Sequence, residues 1–204
     1  MITGFRLALA GLAALAAGLA PPPAQAEGDA ERGAALAYTC LGCHGIEGYR
    51  NAYPSYRVPK LGGQKAGYIE LALKAYRDGT RPHPTMQAQG DSLSDQDIAD
   101  LAVYFEGPEK KLDHVSSEDV AGIDVAATCL ACHGNGADGL MPTPPTLSGQ
   151  YPSYLEHALK QYRSGERANN IMNGFAAALS DEDILRLAEA WSRQEGLYTP
   201  EYAE

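Results

Sequence analysis

Cys40-Leu41-Gly42-Cys43-His44 is the most informative segment of this chain, and it recurs as Cys129-Leu130-Ala131-Cys132-His133. Both copies place two residues between the cysteines and a histidine directly after them, and together they contain all four cysteines of the 204-residue chain. This pattern attaches c-type haem, because two thiols at this spacing can add to the two vinyl groups of one porphyrin while the histidine binds the iron. The sequence therefore predicts two covalent haem c groups.

Two other uses of paired cysteines fit this sequence less well. Zinc ribbons usually space their cysteine pairs by about 15 to 20 residues, whereas 85 residues separate Cys43 from Cys129. Thioredoxin-like redox pairs lie in a βαβ unit, and the sequence has no such pattern. The residues assigned to haem are Cys40, Cys43, Cys129 and Cys132 for covalent attachment, and His44 and His133 as axial ligands of the first and second iron.

The chain contains an internal duplication. Pro59-Lys60-Leu61-Gly62-Gly63-Gln64 recurs 86 positions later as Pro145-Thr146-Leu147-Ser148-Gly149-Gln150. The haem motifs are 89 positions apart, so the second half lacks three residues between its motif and Pro145. Other pairs that keep the 86-residue spacing are Tyr68 and Tyr154, Tyr76 and Tyr162, Arg81 and Arg167, and Leu93-Ser94-Asp95 and Leu179-Ser180-Asp181. These repeats predict two similar domains in tandem.

Two methionines that keep the same spacing, Met86 and Met172, are the candidate second axial ligands. A thioether is a soft ligand for haem iron, and His/Met ligation raises the reduction potential of cytochromes c. Met141 has no counterpart in the first half, and we interpret it as a packing residue beside the second haem. His83 is a rival ligand close to Met86. Because Asn169 occupies the equivalent position, ligation by His83 would make the two domains chemically different.

The pattern of apolar residues predicts an all-α protein with two domains, each wrapped around one haem. Segments 29–38, 66–77 and 154–163 are rich in helix-forming residues. Ser94 and Ser180 each precede acidic residues, as is typical of a capped helix start. The next apolar residues repeat at i, i+3, i+4 and i+7, which predicts one buried face per helix: Ile98, Leu101, Ala102 and Phe105, then Ile184, Leu187, Ala188 and Trp191. The large rings expected inside the cores are Phe105, Phe175 and Trp191.

The first 26 residues differ from the rest of the chain. Arg6 precedes an apolar stretch over 7–20, and Ala24-Gln25-Ala26 has the pattern of a signal-peptide cleavage site. The apolar stretch is shorter than the roughly 20 residues of a spanning helix, so we expect cleavage near Ala26 and export to the periplasm rather than a retained anchor. The predicted domains are then residues 27–106 and 118–204, joined by a linker over 107–117.

The charge of the chain restricts its partners. With 16 basic and 26 acidic residues the formal charge is −10, and removal of residues 1–26, which contain one basic residue and no acidic one, would make it −11. This charge would repel a phosphate backbone, so the sequence predicts that the protein does not bind nucleic acid. We instead expect a basic docking patch on the physiological partner.

These motifs together resemble the dihaem cytochromes c of the c4 class, which consist of two class I cytochrome c domains in tandem. The resemblance rests on the two Cys-x-x-Cys-His-Gly segments, on Pro-x-Leu-x-Gly-Gln at 59–64 and 145–150, and on Leu-Ser-Asp-x-Asp-Ile at 93–98 and 179–184. It covers nearly all of both halves. The resemblance implies that the carbonyl groups of Pro59 and Pro145 accept hydrogen bonds from His44 and His133 and thereby orient these ligands.

The resemblance also implies that the chain is an electron carrier and not an enzyme. Its partners would be redox proteins, with a membrane quinol-oxidising complex as donor and a terminal oxidase, a reductase or another acceptor; peripheral contact with the membrane is compatible with this role. A cytochrome subunit of a larger dehydrogenase would contain the same motifs and stays open as an alternative. A dihaem peroxidase needs an iron with a displaceable ligand, and matched methionines in both halves disfavour it.

Overall fold

The computed structural model describes residues 27–108, 122–133 and 144–201, and these segments contain nine helices and no strand. The first half contains α1 (Ala30–Leu36), α2 (Tyr38–His44), α3 (Ala66–Arg77), α4 (Pro84–Asp91) and α5 (Asp95–Glu106). The second half contains α6 (Ala126–His133), α7 (Pro152–Ser164), α8 (Asn170–Ala176) and α9 (Asp181–Ser192). Helices α6 to α9 repeat the order of α2 to α5. The expected all-α class is confirmed.

The same local chemistry starts the last helix of each half. At α5 the Ser94 side chain accepts a hydrogen bond from Asp97 N at 3.2 Å, and the Asp97 carboxylate accepts one from Ser94 N at 2.9 Å. At α9 the corresponding distances between Ser180 and Asp183 are 3.1 and 3.0 Å. These reciprocal bonds satisfy backbone N–H groups that the first helical turn leaves without partners. The two expected helix starts are therefore confirmed.

The apolar faces of α5 and α9 form the centres of the two cores. All eight side chains that the i, i+3, i+4, i+7 pattern selected are buried: Ile98, Leu101, Ala102 and Phe105 in α5, and Ile184, Leu187, Ala188 and Trp191 in α9. Phe175 differs from expectation, because its side chain is 49% exposed. It lies on the short helix α8 and lines a cavity instead of filling the core.

Helix α1 packs closely against α5 and leads directly into the first haem motif. The sequence suggested one helix over 29–38, but α1 ends at Leu36 and α2 begins at Tyr38. Gly33 permits the close approach, since a Cβ atom there would lie 2.2 Å from the backbone oxygen of Asp100. Helix α3 packs on α4 and α5, and α7 packs on α8 and α9 in the same way.

The two halves contact each other through hydrogen bonds and stacked rings. Beyond α9 the chain returns to the first half, where Gly62 and Tyr198 exchange two backbone hydrogen bonds of 3.0 Å each. The rings of Tyr56 and His157 stack across the interface with centroids 4.1 Å apart. The sequence alone does not indicate this stacking role for His157.

Several expectations concern residues outside the described segments. These are the signal segment 1–26, most of the linker over 107–117, and Met141. The two domain boundaries therefore stay predictions. In the described part of the chain, no helix is long and apolar enough to cross a membrane.

Candidate haem sites

Each Cys-x-x-Cys-His motif lies at the end of a helix, α2 in the first half and α6 in the second. The helical backbone brings both cysteines and the histidine of one motif to the same face of that helix, because they are three and four residues apart. None of the four cysteines is in a disulfide. Burial raises the pKa of the Cys40 and Cys129 thiols. Each pair is thus available to bind one porphyrin covalently.

Both motif histidines bind a proline carbonyl through the same ring nitrogen. His44 Nδ1 lies 2.7 Å from Pro59 O, and His133 Nδ1 lies 3.0 Å from Pro145 O. Because a carbonyl can only accept, Nδ1 carries the proton and Nε2 keeps its lone pair. Burial lowers the pKa of His44 to about 4 and also lowers that of His133, although the proline bond acts in the opposite direction. Both imidazoles are therefore neutral at pH 7, as iron ligation requires.

The two candidate methionines occupy equivalent positions in the short helices α4 and α8. His83 caps α4 by accepting a hydrogen bond from Met86 N at 3.2 Å. Asn169 caps α8 in the same way, with Met172 N at 2.9 Å. The difference between histidine and asparagine at this position is therefore a difference between two helix caps. A capping role explains His83 without ligation to iron.

One cavity of about 1260 Å³ joins the two halves. Its wall includes the cysteines and histidines of both motifs, together with Met86 and Met172. Apolar side chains such as Leu61, Leu101, Leu147 and Trp191 supply much of the remaining surface. The structure thus brings all eight predicted attachment and ligand residues to the wall of one cavity.

Two buried arginines give part of this cavity a positive charge. Arg81 and Arg167 are only 7% and 6% exposed, yet no carboxylate of the described segments lies within ion-pair distance of either. Tyr68 Oη accepts from both guanidinium groups, at 3.4 Å from Arg81 and 3.0 Å from Arg167. Tyr154 Oη accepts from Arg81 at 2.6 Å. Burial raises the pKa of Tyr68, but the two arginines lower it to about 7.

Haem is a flat apolar cofactor that bears two carboxylates, so a cavity that suits it needs apolar walls and positive charge. Apolar walls fit the ring, and a pair of buried cations fits anionic groups because unpaired buried charge is costly. Among the described lining residues Asp97 is the only carboxylate, although the whole chain is acidic. The residues present therefore fit haem. In the sequence, the only signal for this role of Arg81 and Arg167 is the 86-residue spacing that they share with the other repeated positions.

In segments 27–108, 122–133 and 144–201, no cluster of three or more histidine, cysteine, aspartate or glutamate side chains is placed to hold a metal ion. Duplicated helical domains with a Cys-x-x-Cys-His motif in each define instead a dihaem c-type cytochrome.

Comparisons with known proteins agree with this class. The family model described as Cytochrome c matches residues 30–107, and the one described as Cytochrome C oxidase, cbb3-type, subunit III matches residues 124–189. Cytochrome c4 of Azotobacter vinelandii is 33% identical over 189 residues, which cover 81% of this chain and 89% of that protein. The thiosulfate dehydrogenase electron acceptor of Stutzerimonas stutzeri is 31% identical over 199 residues, covering 89% and 91%. The crystal structure of reduced cytochrome c4 from Pseudomonas stutzeri superposes with a TM-score of 0.59 at 30% identity, covering 84% of this chain and 100% of that one.

The chain belongs to the cytochrome c4 family. It is an electron-transfer protein with two covalently bound haem c groups, one attached at Cys40 and Cys43 and one at Cys129 and Cys132.

Proposed function

We propose that His44 and Met86 are the axial ligands of the first haem iron, and His133 and Met172 those of the second. The observation that carries this proposal is the repetition of one arrangement in both halves. In each half a neutral histidine is oriented by a proline carbonyl, and a methionine on a capped helix lines the same cavity. The two duplicated halves thus have the same candidate ligands at equivalent positions.

The chain's own residues would control the environment of the metal. When bound, haem iron supplies the redox chemistry by changing between Fe(II) and Fe(III). Pro59 and Pro145 hold the imidazole rings in one orientation and increase their basicity. The thioethers of Met86 and Met172 would favour the reduced iron and so raise the reduction potential. Apolar side chains around the cavity would exclude water from the porphyrin ring.

Replacement of each methionine tests the ligation directly. Met86→Ala and Met172→Ala should each remove about half of the sulfur-to-iron absorption at the red end of the oxidised spectrum, and each should lower one of the two reduction potentials. Met141→Ala is the matched control and should leave the absorption unchanged. Loss of the absorption in the Met141 variant, with Met86→Ala behaving as wild type, would overturn the assignment.

In the cell, the protein would be exported to the periplasm after cleavage near Ala26, and its domains would comprise residues 27–106 and 118–204. It would carry electrons from a membrane quinol-oxidising complex to an oxidase, a reductase or another acceptor. Support comes from the signal-like N-terminal sequence and from the similarity to cytochromes c4 over most of the chain. No substrate site is needed for this role, which is that of a carrier and not of an enzyme.

A second role is that of a cytochrome subunit bound to a dehydrogenase. The relative named thiosulfate dehydrogenase electron acceptor favours this alternative, because its similarity extends over 89% of this chain. Purification from the native source followed by size-exclusion chromatography distinguishes the two roles. A free carrier elutes at the size of a single small protein, whereas a subunit elutes together with a larger protein that has dehydrogenase activity.

A further inference from the structure

The peptide groups that follow Pro59 and Pro145 are hydrogen-bonded on both sides. The carbonyl of the Pro59–Lys60 peptide accepts from His44 Nδ1 at 2.7 Å, and the N–H of this same peptide donates to Gln150 Oε1 at 2.9 Å. Gln150 belongs to the other half of the molecule. One peptide unit therefore connects an axial histidine of the first domain to a side chain of the second.

The second domain contains the mirror arrangement. The carbonyl of the Pro145–Thr146 peptide accepts from His133 Nδ1 at 3.0 Å, and Thr146 N donates to Gln64 Oε1 at 2.9 Å. The contacts are therefore crossed, because each glutamine bonds to the proline loop of the opposite half. A bond that only joined the domains would not need to fall on these two peptides.

Both glutamines are held in one orientation. Each is only 4% exposed. The amide nitrogen of Gln150 donates to Lys60 O and that of Gln64 to Thr146 O, both at 3.0 Å. Each Oε1 also accepts from the backbone N–H of the next residue, Tyr151 at 3.1 Å and Lys65 at 3.0 Å. These N–H donors identify the amide oxygen, so the acceptor facing the peptide N–H is well defined.

We infer that Gln150 is a positioning residue for His44, and Gln64 for His133, so that each domain tunes the haem of the other. A peptide whose N–H is hydrogen-bonded has a more polarised carbonyl, because hydrogen bonds in a chain strengthen one another. The more polarised carbonyl is a stronger acceptor for imidazole Nδ1–H and makes the imidazole a more basic ligand. A more basic ligand stabilises Fe(III), and loss of the glutamine should therefore raise the reduction potential.

The test uses the intact protein with both haems attached. Gln150→Met and Gln64→Met keep the side-chain size but remove every hydrogen bond of the amide. NMR-monitored redox titration follows each haem separately, with resonances assigned by comparison with the Met86→Ala and Met172→Ala proteins. Gln150→Met should raise the potential of the haem attached at Cys40 and Cys43, and should move the His44 Nδ1–H resonance of the reduced protein upfield. Gln64→Met should do the same to the other haem and to His133.

Tyr151→Phe is the matched control for a general weakening of the interface. Its hydroxyl accepts from Gly48 N at 2.8 Å and donates to Glu47 at 2.6 Å across the two halves, but it makes no hydrogen bond to either proline peptide. This variant should leave both Nδ1–H resonances in place. Equal shifts at both haems in either glutamine variant, shifts confined to the glutamine's own half, or no shift would each overturn the inference.

This inference rests on iron ligation by His44 and His133, and the same spectra separate the two ideas. If the wild-type protein has no hyperfine-shifted histidine signals in its oxidised form, the proposed ligation fails. If those signals are present but neither glutamine variant changes the reduction potential of the haem in the opposite half, only the inference about the glutamines fails.

Discussion

Replacement of Gly33 by alanine should destabilise the first domain through one contact between helices. A Cβ atom at this position would lie 2.2 Å from Asp100 O and 2.8 Å from the Cβ atom of Tyr104. Attractive contacts between non-bonded carbon atoms occur at about 3.5–4.0 Å, so α1 would have to move away from α5 by about 1 Å. The nearest atom belongs to the backbone of a helix and cannot rotate away.

The size of the effect follows from two opposing contributions. Forcing an additional carbon into a packed core typically costs about 1–3 kcal/mol. Alanine recovers about 0.5–1 kcal/mol, because glycine is the less favourable residue within a helix. Since the clash is with backbone atoms, we expect a net loss of about 2 kcal/mol in the free energy of unfolding. In a domain of 60–100 residues this corresponds to a decrease in Tm of roughly 8–16 °C.

Thermal and urea unfolding of the haem-loaded protein, followed by far-ultraviolet circular dichroism, measures this loss. Gly174→Ala is the matched control, because Gly174 also lies in a helix but a Cβ atom there would meet nothing within 4 Å. The control should be stabilised by about 0.5–1 kcal/mol. If Gly33→Ala unfolds at or above the wild-type temperature while the control behaves as expected, the inferred contact between α1 and α5 is wrong.

Three further predictions concern charge. Arg81→Gln removes a buried cation from the cavity and should lower the reduction potential measured by spectroelectrochemistry. The control Arg77→Gln breaks a surface ion pair with Asp95 at 2.8 Å and should change the potential less. Equal shifts in the two variants would contradict the placement of Arg81 in the haem cavity. Hydrogen bonds from Ser94 lower the pKa of Asp97 below its unfolded value, so its contribution to stability is present above about pH 4 and is lost as the pH falls further. Asp97→Asn should thus lose less stability than wild type on acidification, as judged by urea midpoints. Reduction by a basic redox partner should slow as ionic strength rises from about 10 to 300 mM, and an unchanged rate would indicate apolar docking.

Local and repeated sequence patterns were sufficient to predict the class of fold and the number of haems. A Cys-x-x-Cys-His segment needs only five consecutive residues, so its chemistry can be read without knowing how the chain folds. The helix starts at Ser94 and Ser180 and the buried faces that follow are equally local, since each depends on helical periodicity. The second copies of these motifs and helix starts support the same interpretations.

Contacts between distant residues depended on how the two domains pack. The 86-residue spacing marked Gln64 and Gln150 as equivalent, but no sequence pattern indicates that each reaches the proline loop of the opposite half. The same is true of the shared Tyr68 hydroxyl between Arg81 and Arg167. Such crossed contacts depend on how one folded surface is oriented against the other. Shape and hydrogen-bond complementarity over the whole interface decide that orientation, and the order of residues along either half does not.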